Sequence, residues 1–232
     1  MEKRYVSIQG IPAVLWGSEA DKLIIAVHGD QSNKEDCVIA VLGEEVTQRG
    51  YQVLSLDLPE HGERREAPRR CSPQNSIEDL EKAILYAKGL ASQVSMFGCS
   101  LGAYFGMMAY QREPIKQALL LSPVVCLQHV IENIMRMFNI SKEKLQSEKK
   151  IITPMKTLYW EDYEYIIKHP VRWNAPTALL YGEADDICAF EDVSGFAERT
   201  QATLTVMSKG EHYFHTEEQI AFFRQWLNTC LY

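Results

Sequence analysis

VSMFGCSLG, residues Val94 to Gly102, carries an apolar run into a glycine-flanked serine, and a helix-like run, LGAYFGMMAYQ, begins at Leu101. A serine with glycine two residues away on each side fits a sharp strand-to-helix turn, because glycine lets neighbouring backbone approach closely and accepts dihedrals closed to other residues. Such a turn exposes the hydroxyl, which makes Ser100 a candidate nucleophile. The pentapeptide alone does not decide the matter, since glycine and serine are also ordinary loop residues.

Working outward, strand-like and helix-like segments alternate. Tyr5 to Ile8 and Ala13 to Trp16 flank Gly10 and Pro12 and read as an opening strand pair, while the wholly apolar LIIAV (Leu23 to Val27) suits a strand buried on both faces. Lys34 to Arg49 has helical spacing in Val38, Val41, Leu42 and Val46 and stops at Gly50. YQVLSLDL is another strand, and a helix is expected from about Ser76 with Asp79 in its first turn. After the Ser100 turn come strand Gln117 to Val124, strand TALLYG (Thr177 to Gly182), a helix around Glu191 to Arg199, strand TLTVM and a final helix from Thr216. This order predicts an α/β fold with a mostly parallel, twisted central sheet covered by helices on both faces.

In such sheets ligands gather at the carboxyl ends of the strands. Here HGD follows LIIAV, DLPEHG follows VLS, GCSLG follows VSMF, GEADD follows ALLY, and GEHYFH lies just after LTVM. Five chemistry-bearing stretches therefore converge on one edge, and this convergence points to an enzyme more strongly than any single motif.

Composition narrows the alternatives. At 232 residues with 46% hydrophobic content the chain can bury a large core, and no Pro/Ser/Gly-rich linker divides it, so one domain over 1–232 is expected. The net charge of −7 opposes binding to nucleic acid, and the dense basic run ERREAPRR is interrupted by acids and a proline. No apolar run reaches the roughly 18 residues of a membrane span. MEKRYVSIQG lacks the apolar core of a signal peptide, and the six cysteines show neither a CxxC pair nor zinc-site spacing; the expectation is a cytoplasmic protein with reduced thiols. Composition does not set the oligomeric state.

A serine hydroxyl needs a general base and a carboxylate to orient it. Ser100 is followed by Asp185 and Asp186, and then by His212 and His215. In this order GCSLG, LLYGEADD and SKGEHYF, together with His28-Gly29-Asp30, resemble the α/β-hydrolase superfamily, its esterase and dienelactone-hydrolase-like branch included. The similarity runs from His28 to the C-terminal helix.

The resemblance implies a serine hydrolase acting on a small-molecule acyl substrate through an acyl-enzyme, without metal or organic cofactor. Carboxylic ester cleavage is the first expectation; peptidase or thioesterase chemistry, or an idle ligand-binding member of the fold, are the alternatives. Counting three residues from Gly182, as the family pattern does, selects Asp185 as the acid, with Asp186 as the fallback. His212 matches the histidine turn, whereas His215 precedes a T-x-x-Q capping box at Thr216 and Gln219. The oxyanion hole is expected from the backbone N–H of Leu101, at a helix start, and by carry-over from that of Asp30. An aspartate at that position departs from many relatives, because a carboxylate beside a developing oxyanion repels it unless it is paired or turned away. His28 and Asp57 are expected to be structural.

Residues 126–173 are too long for an ordinary connection and are expected to form a helical cap or lid inserted after the sixth strand. Val130, Ile134, Met137 and Phe138 have helical spacing, SKEKLQSEKK reads as a solvated charged exit, and TLYWEDYEYI offers Trp160 as a substrate contact.

Overall fold

The computed structural model describes residues 1–231. Its centre is an eight-stranded sheet made of β1 (Lys3–Ile8), β2 (Ile11–Trp16), β3 (Lys22–Val27), β4 (Tyr51–Leu56), β5 (Gln93–Cys99), β6 (Ala118–Leu121), β9 (Thr177–Gly182) and β10 (Thr203–Met207). The order across the sheet is β1-β2-β4-β3-β5-β6-β9-β10. β2 pairs antiparallel with β1 and β4, and every other neighbour is parallel. The first two strands therefore form an antiparallel edge on a parallel sheet.

The period-two rule sorts β3 between two cores. Leu23, Ile25 and Val27 face one cluster and Ile24 and Ala26 the other, all of them fully buried. Helices α1 (Cys37–Thr47) and α8 (Glu217–Cys230) cover the face of Ile24, while α2 (Pro73–Lys88), α3 (Leu101–Tyr110) and α7 (Phe190–Thr200) cover the other. No helix among the described residues is long and apolar enough to cross a membrane.

Local chemistry sets the helix starts. Asp36 caps α1 by accepting the Val38 N–H at 3.2 Å. Helix α2 begins at Pro73, not near Ser76: Ser72 Oγ accepts the Asn75 N–H at 3.1 Å, and proline at the first position lacks only an N–H that would be unsatisfied there. Asp79 consequently lies beyond the first turn, where its nearly wholly buried carboxylate meets Arg64 at 2.7 Å. Strand β6 stops at Leu121, short of the expected Val124, because Ser122 takes φ +42° and breaks the extended run.

Between β6 and β9 the chain forms α4 (Leu127–Met137), α5 (Lys142–Glu148), an antiparallel hairpin of β7 (Lys150–Ile152) and β8 (Thr157–Tyr159), and α6 (Trp160–Lys168). This segment has its own small core of Ile134, Met135, Ile140, Leu145, Leu158 and Tyr163. SKEKLQSEKK is solvated and charged as expected, exposed at every position but Leu145, which is fully buried and anchors α5 to the segment's core. The hairpin also replaces part of the helical reading of TLYWEDYEYI, with helix starting only at Trp160.

Candidate active site

Ser100 sits between β5 and α3 with φ +49° and ψ −119°, a backbone conformation costly for a residue with a Cβ. Neighbours hold it there. Its N–H donates to Leu121 O at 3.0 Å, and its carbonyl accepts from Ala103 N at 3.0 Å and Val124 N at 3.1 Å. The flanking glycines are needed for space: a Cβ on Gly98 would lie 2.6 Å from Ala103 Cα, and one on Gly102 would run into the carbonyls of Val27 and His28.

The post-strand loops bring two partners to this serine. Ser100 Oγ lies 2.8 Å from His212 Nε2, and His212 Nδ1 lies 2.7 Å from Asp185 Oδ2. Asp185 Oδ1 in turn accepts the N–H groups of Ile187 and Cys188, each at 2.9 Å, which fixes the carboxylate's orientation. With Nδ1–H donating to a carboxylate that can only accept, Nε2 carries the lone pair that faces the serine hydroxyl. This arrangement can take a proton from Ser100 and hold the imidazolium that results.

Asp186 is not in this chain; it lies on the cavity wall. His215 is elsewhere too: its N–H donates to Gln219 Oε1 within the capping box of α8, and its ring stacks on Tyr213 at 5.1 Å. The side chains of Asp185, Cys188 and His212 also approach within 4.8 Å of one another, a set that could in principle ligate a metal. Yet Asp185 is committed to three hydrogen bonds, and burial raises the Cys188 thiol far above its ordinary range, against the thiolate a metal would need. Cys99, next to the serine, is likewise pushed up, to about 12, by burial.

Leu101 opens α3, so its N–H has no intrahelical acceptor, and among the described residues no protein acceptor takes the Asp30 N–H either. Both residues line the cavity above Ser100. The Asp30 carboxylate is paired: Oδ2 lies 2.8 Å from Lys156 Nζ and Oδ1 3.2 Å from His61 Nε2. Burial opposes its ionisation, but His61 and Lys156 outweigh that and hold its pKa below the usual carboxylate range.

His28 and Asp57 lie beneath this edge. The Leu58 N–H donates to His28 Nε2 at 3.0 Å and His28 Nδ1 contacts Gly29 O at 2.7 Å, so the neutral ring satisfies both groups. Burial lowers its pKa to about 4. Asp57 accepts from Lys34 N, Lys34 Nζ and Glu63 N, tying the first two loops together.

Ser100 opens into a cavity of about 280 Å³ between the strand ends and the 126–173 segment. Its walls include Leu127, Val130, Ile131, Ile134, Met137 and Leu158, with Phe105 and Tyr159 as the aromatic members. Trp160 does not reach it. Placed first on α6, it turns toward Tyr163 (ring centroids 5.9 Å apart) and the segment's own core, and its neighbour Tyr159 takes the wall position.

Sequence reading missed two residues at the mouth, Lys156 and Arg70. Arg70 pairs with Glu161 at 2.5 Å and with Asp162, and lies 3.9 Å from the Tyr159 ring. The available signal was TPMK, a turn sequence between the short runs KII and TLY that places Lys156 at a hairpin tip.

No family model matches the chain, and no curated protein matches its sequence. Solved structures do resemble it. Est1E from Butyrivibrio proteoclasticus, with ferulic acid bound, is 19% identical over 97% of this chain and 98% of its own, at a TM-score of 0.76. Alpha/beta hydrolase domain-containing protein 10 from mouse is 14% identical over 99% and 98%, at 0.74. The Pyrococcus furiosus esterase Pf2001 is 18% identical over 98% and 92%, at 0.68. With its strand order, its turn at Ser100 and these neighbours, the chain has the fold of the α/β-hydrolase superfamily.

Proposed function

We propose that the protein is a serine hydrolase that cleaves carboxylic esters of aliphatic acids. The observation that carries this reading is the hydrogen-bonded chain from Ser100 Oγ through His212 to Asp185 at the floor of an apolar cavity. In the first half-reaction His212 Nε2 takes the hydroxyl proton as Ser100 Oγ attacks the ester carbonyl. Leu101 N–H and Asp30 N–H receive the developing oxyanion. Collapse expels the alcohol, protonated by His212, and leaves the acyl group on Ser100. A water deprotonated by His212 then attacks the acyl-enzyme, and the acid leaves as Ser100 recovers its proton. Asp185 stays ionised throughout and holds the imidazole in the Nδ1–H tautomer.

The aliphatic preference rests on the cavity wall, where leucine, isoleucine, valine and methionine outnumber Phe105 and Tyr159. The neighbour Est1E holds an aromatic acid, ferulic acid, and esterase neighbours support ester chemistry at low identity. The spacing of the six cysteines, without a CxxC pair, fits a reducing, cytoplasmic setting. A fluorophosphonate probe should label wild type and not Ser100→Ala, and p-nitrophenyl esters of straight-chain acids should turn over faster than the p-nitrophenyl ester of ferulic acid. Labelling that survives in Ser100→Ala would place the nucleophile elsewhere; faster release from the aromatic ester would remove the aliphatic assignment alone.

A further inference from the structure

The aspartate that follows His28-Gly29 poses an electrostatic problem, because its carboxylate shares a residue with an N–H assigned to the oxyanion. The loop has little freedom to swing that charge away. A Cβ on Gly29 would lie 3.2 Å from Ser100 Cβ, so the loop is packed against the serine, and Gln31 immediately after Asp30 is held at φ +58°. The cation that answers it comes from the 126–173 segment: Lys156 Nζ lies 2.8 Å from Asp30 Oδ2.

Lys156 is well positioned for this. The turn that carries it is fixed by Thr153, whose Oγ1 donates to Lys156 O at 2.7 Å and accepts the Lys156 N–H at 3.0 Å. The following strand is anchored to the sheet side by Arg70, which lies against Tyr159 and pairs with Glu161. His61 is a contested second partner. Burial opposes a charge on its ring, and Asp30, Cys71 and Pro59 outweigh this and raise its pKa to about 10, but the Gln31 N–H, 3.0 Å from the same Nε2, works against protonation. Among the described residues no other donor contests the contact of Lys156 with Asp30 Oδ2.

We propose that Lys156 is a positioning residue for the oxyanion hole: from the hairpin tip it neutralises the Asp30 carboxylate and holds the loop with the Asp30 N–H facing the cavity, so that closure of the 126–173 segment completes the site. The proposal rests on the serine-hydrolase reading above. It gives the segment a second role beside enclosing the acyl group, since chemistry at Ser100 then depends on a charge that the segment supplies.

The test is a charge-rescue cycle on the full chain, after fluorophosphonate labelling has been shown to require Ser100, so that failure here is separable from failure of that reading. Lys156→Met should lower kcat by about 3- to 5-fold, as suits a partly exposed pair and a fraction of what loss of a whole oxyanion donor costs. Adding Asp30→Asn to Lys156→Met removes the unpaired charge and should restore most of that loss, whereas Lys156→Arg should keep kcat near wild type. Lys156→Gln serves as a second neutral variant should the methionine fail to fold by circular dichroism. A kcat unchanged in the neutral variants, or a loss that Asp30→Asn does not reverse, overturns the proposal; a merely structural lysine would give a loss that removing the Asp30 charge leaves in place.

Discussion

The strand-end loops and the 126–173 segment meet at the same cavity but are held by different forces. The loops are fixed from within: Ser100 by three backbone hydrogen bonds, Asp185 by two N–H groups, Asp57 by three donors, all over fully buried strands. The covering segment has a small core of its own and joins the rest partly through ion pairs, Arg70 with Glu161 and Asp162 and Lys156 with Asp30, and through a contact of 2.8 Å between His129 Nδ1 and Asp192 Oδ1. Groups that must hold hydrogen-bond geometry stand on the larger core. Part of the cavity wall, Ile134 and Leu158 with Val130 and Ile131 packed beside them, stands on the smaller one.

The contrast breaks most sharply at His212. His212→Ala should lower kcat on the order of 10⁴-fold or more with the circular dichroism spectrum unchanged, and Asp185→Asn roughly 10²- to 10⁴-fold, because the amide no longer holds the proper tautomer. His215→Ala should retain most activity. A His215→Ala enzyme as inactive as His212→Ala would dismantle the assignment.

Leu145→Ala strikes the segment's core alone. Large-to-small changes at buried leucines cost about 2–5 kcal/mol, and here hydrogen exchange should speed up through residues 127–168 while amides of β3 and β5 stay protected. Equal acceleration in the sheet would show that the two regions unfold as one unit.

A smaller effect concerns His28. Burial lowers its folded-state pKa from 6.5 to about 4, so between those values the unfolded chain binds the extra proton. Stability from this group is present above pH 6.5 and is lost as pH falls through 4, in total about 3 kcal/mol. Histidine NMR titration should place its midpoint well below 6; a midpoint near 6.5 would refute the neutral buried ring.

Arg70→Ala should have the mildest consequence. Partly exposed ion pairs are worth about 1 kcal/mol or less, so KM should rise by no more than about 5-fold, with kcat changed less. A fall in kcat with KM unchanged would mean that Arg70 acts on the chemistry and not on the segment's seating.

Much of this molecule is legible in order and spacing. Apolar runs LIIAV and VSMF announce strands buried on both faces, GCSLG announces a turn because only glycine leaves room for the Val27, His28 and Ala103 backbone, and T-x-x-Q marks the start of α8, separating His215 from His212. These features are local: each depends on dihedral preference or on a period set within a few residues. The covering segment was harder, because KII and TLY are too short for a period to show, and α5 exposes its polar face in sequence while Leu145 buries the other.

The sequence by itself determined the strand–helix alternation, the elbow at Ser100 and the order of the serine, acidic and histidine turns, since each follows from residues adjacent in the chain. Only the tertiary structure decided that Tyr159 and not Trp160 faces the cavity, and that Lys156 answers Asp30 from 126 positions away. Those contacts depend on side-chain direction and on charges brought together by packing, and neither is written in the spacing of a single segment.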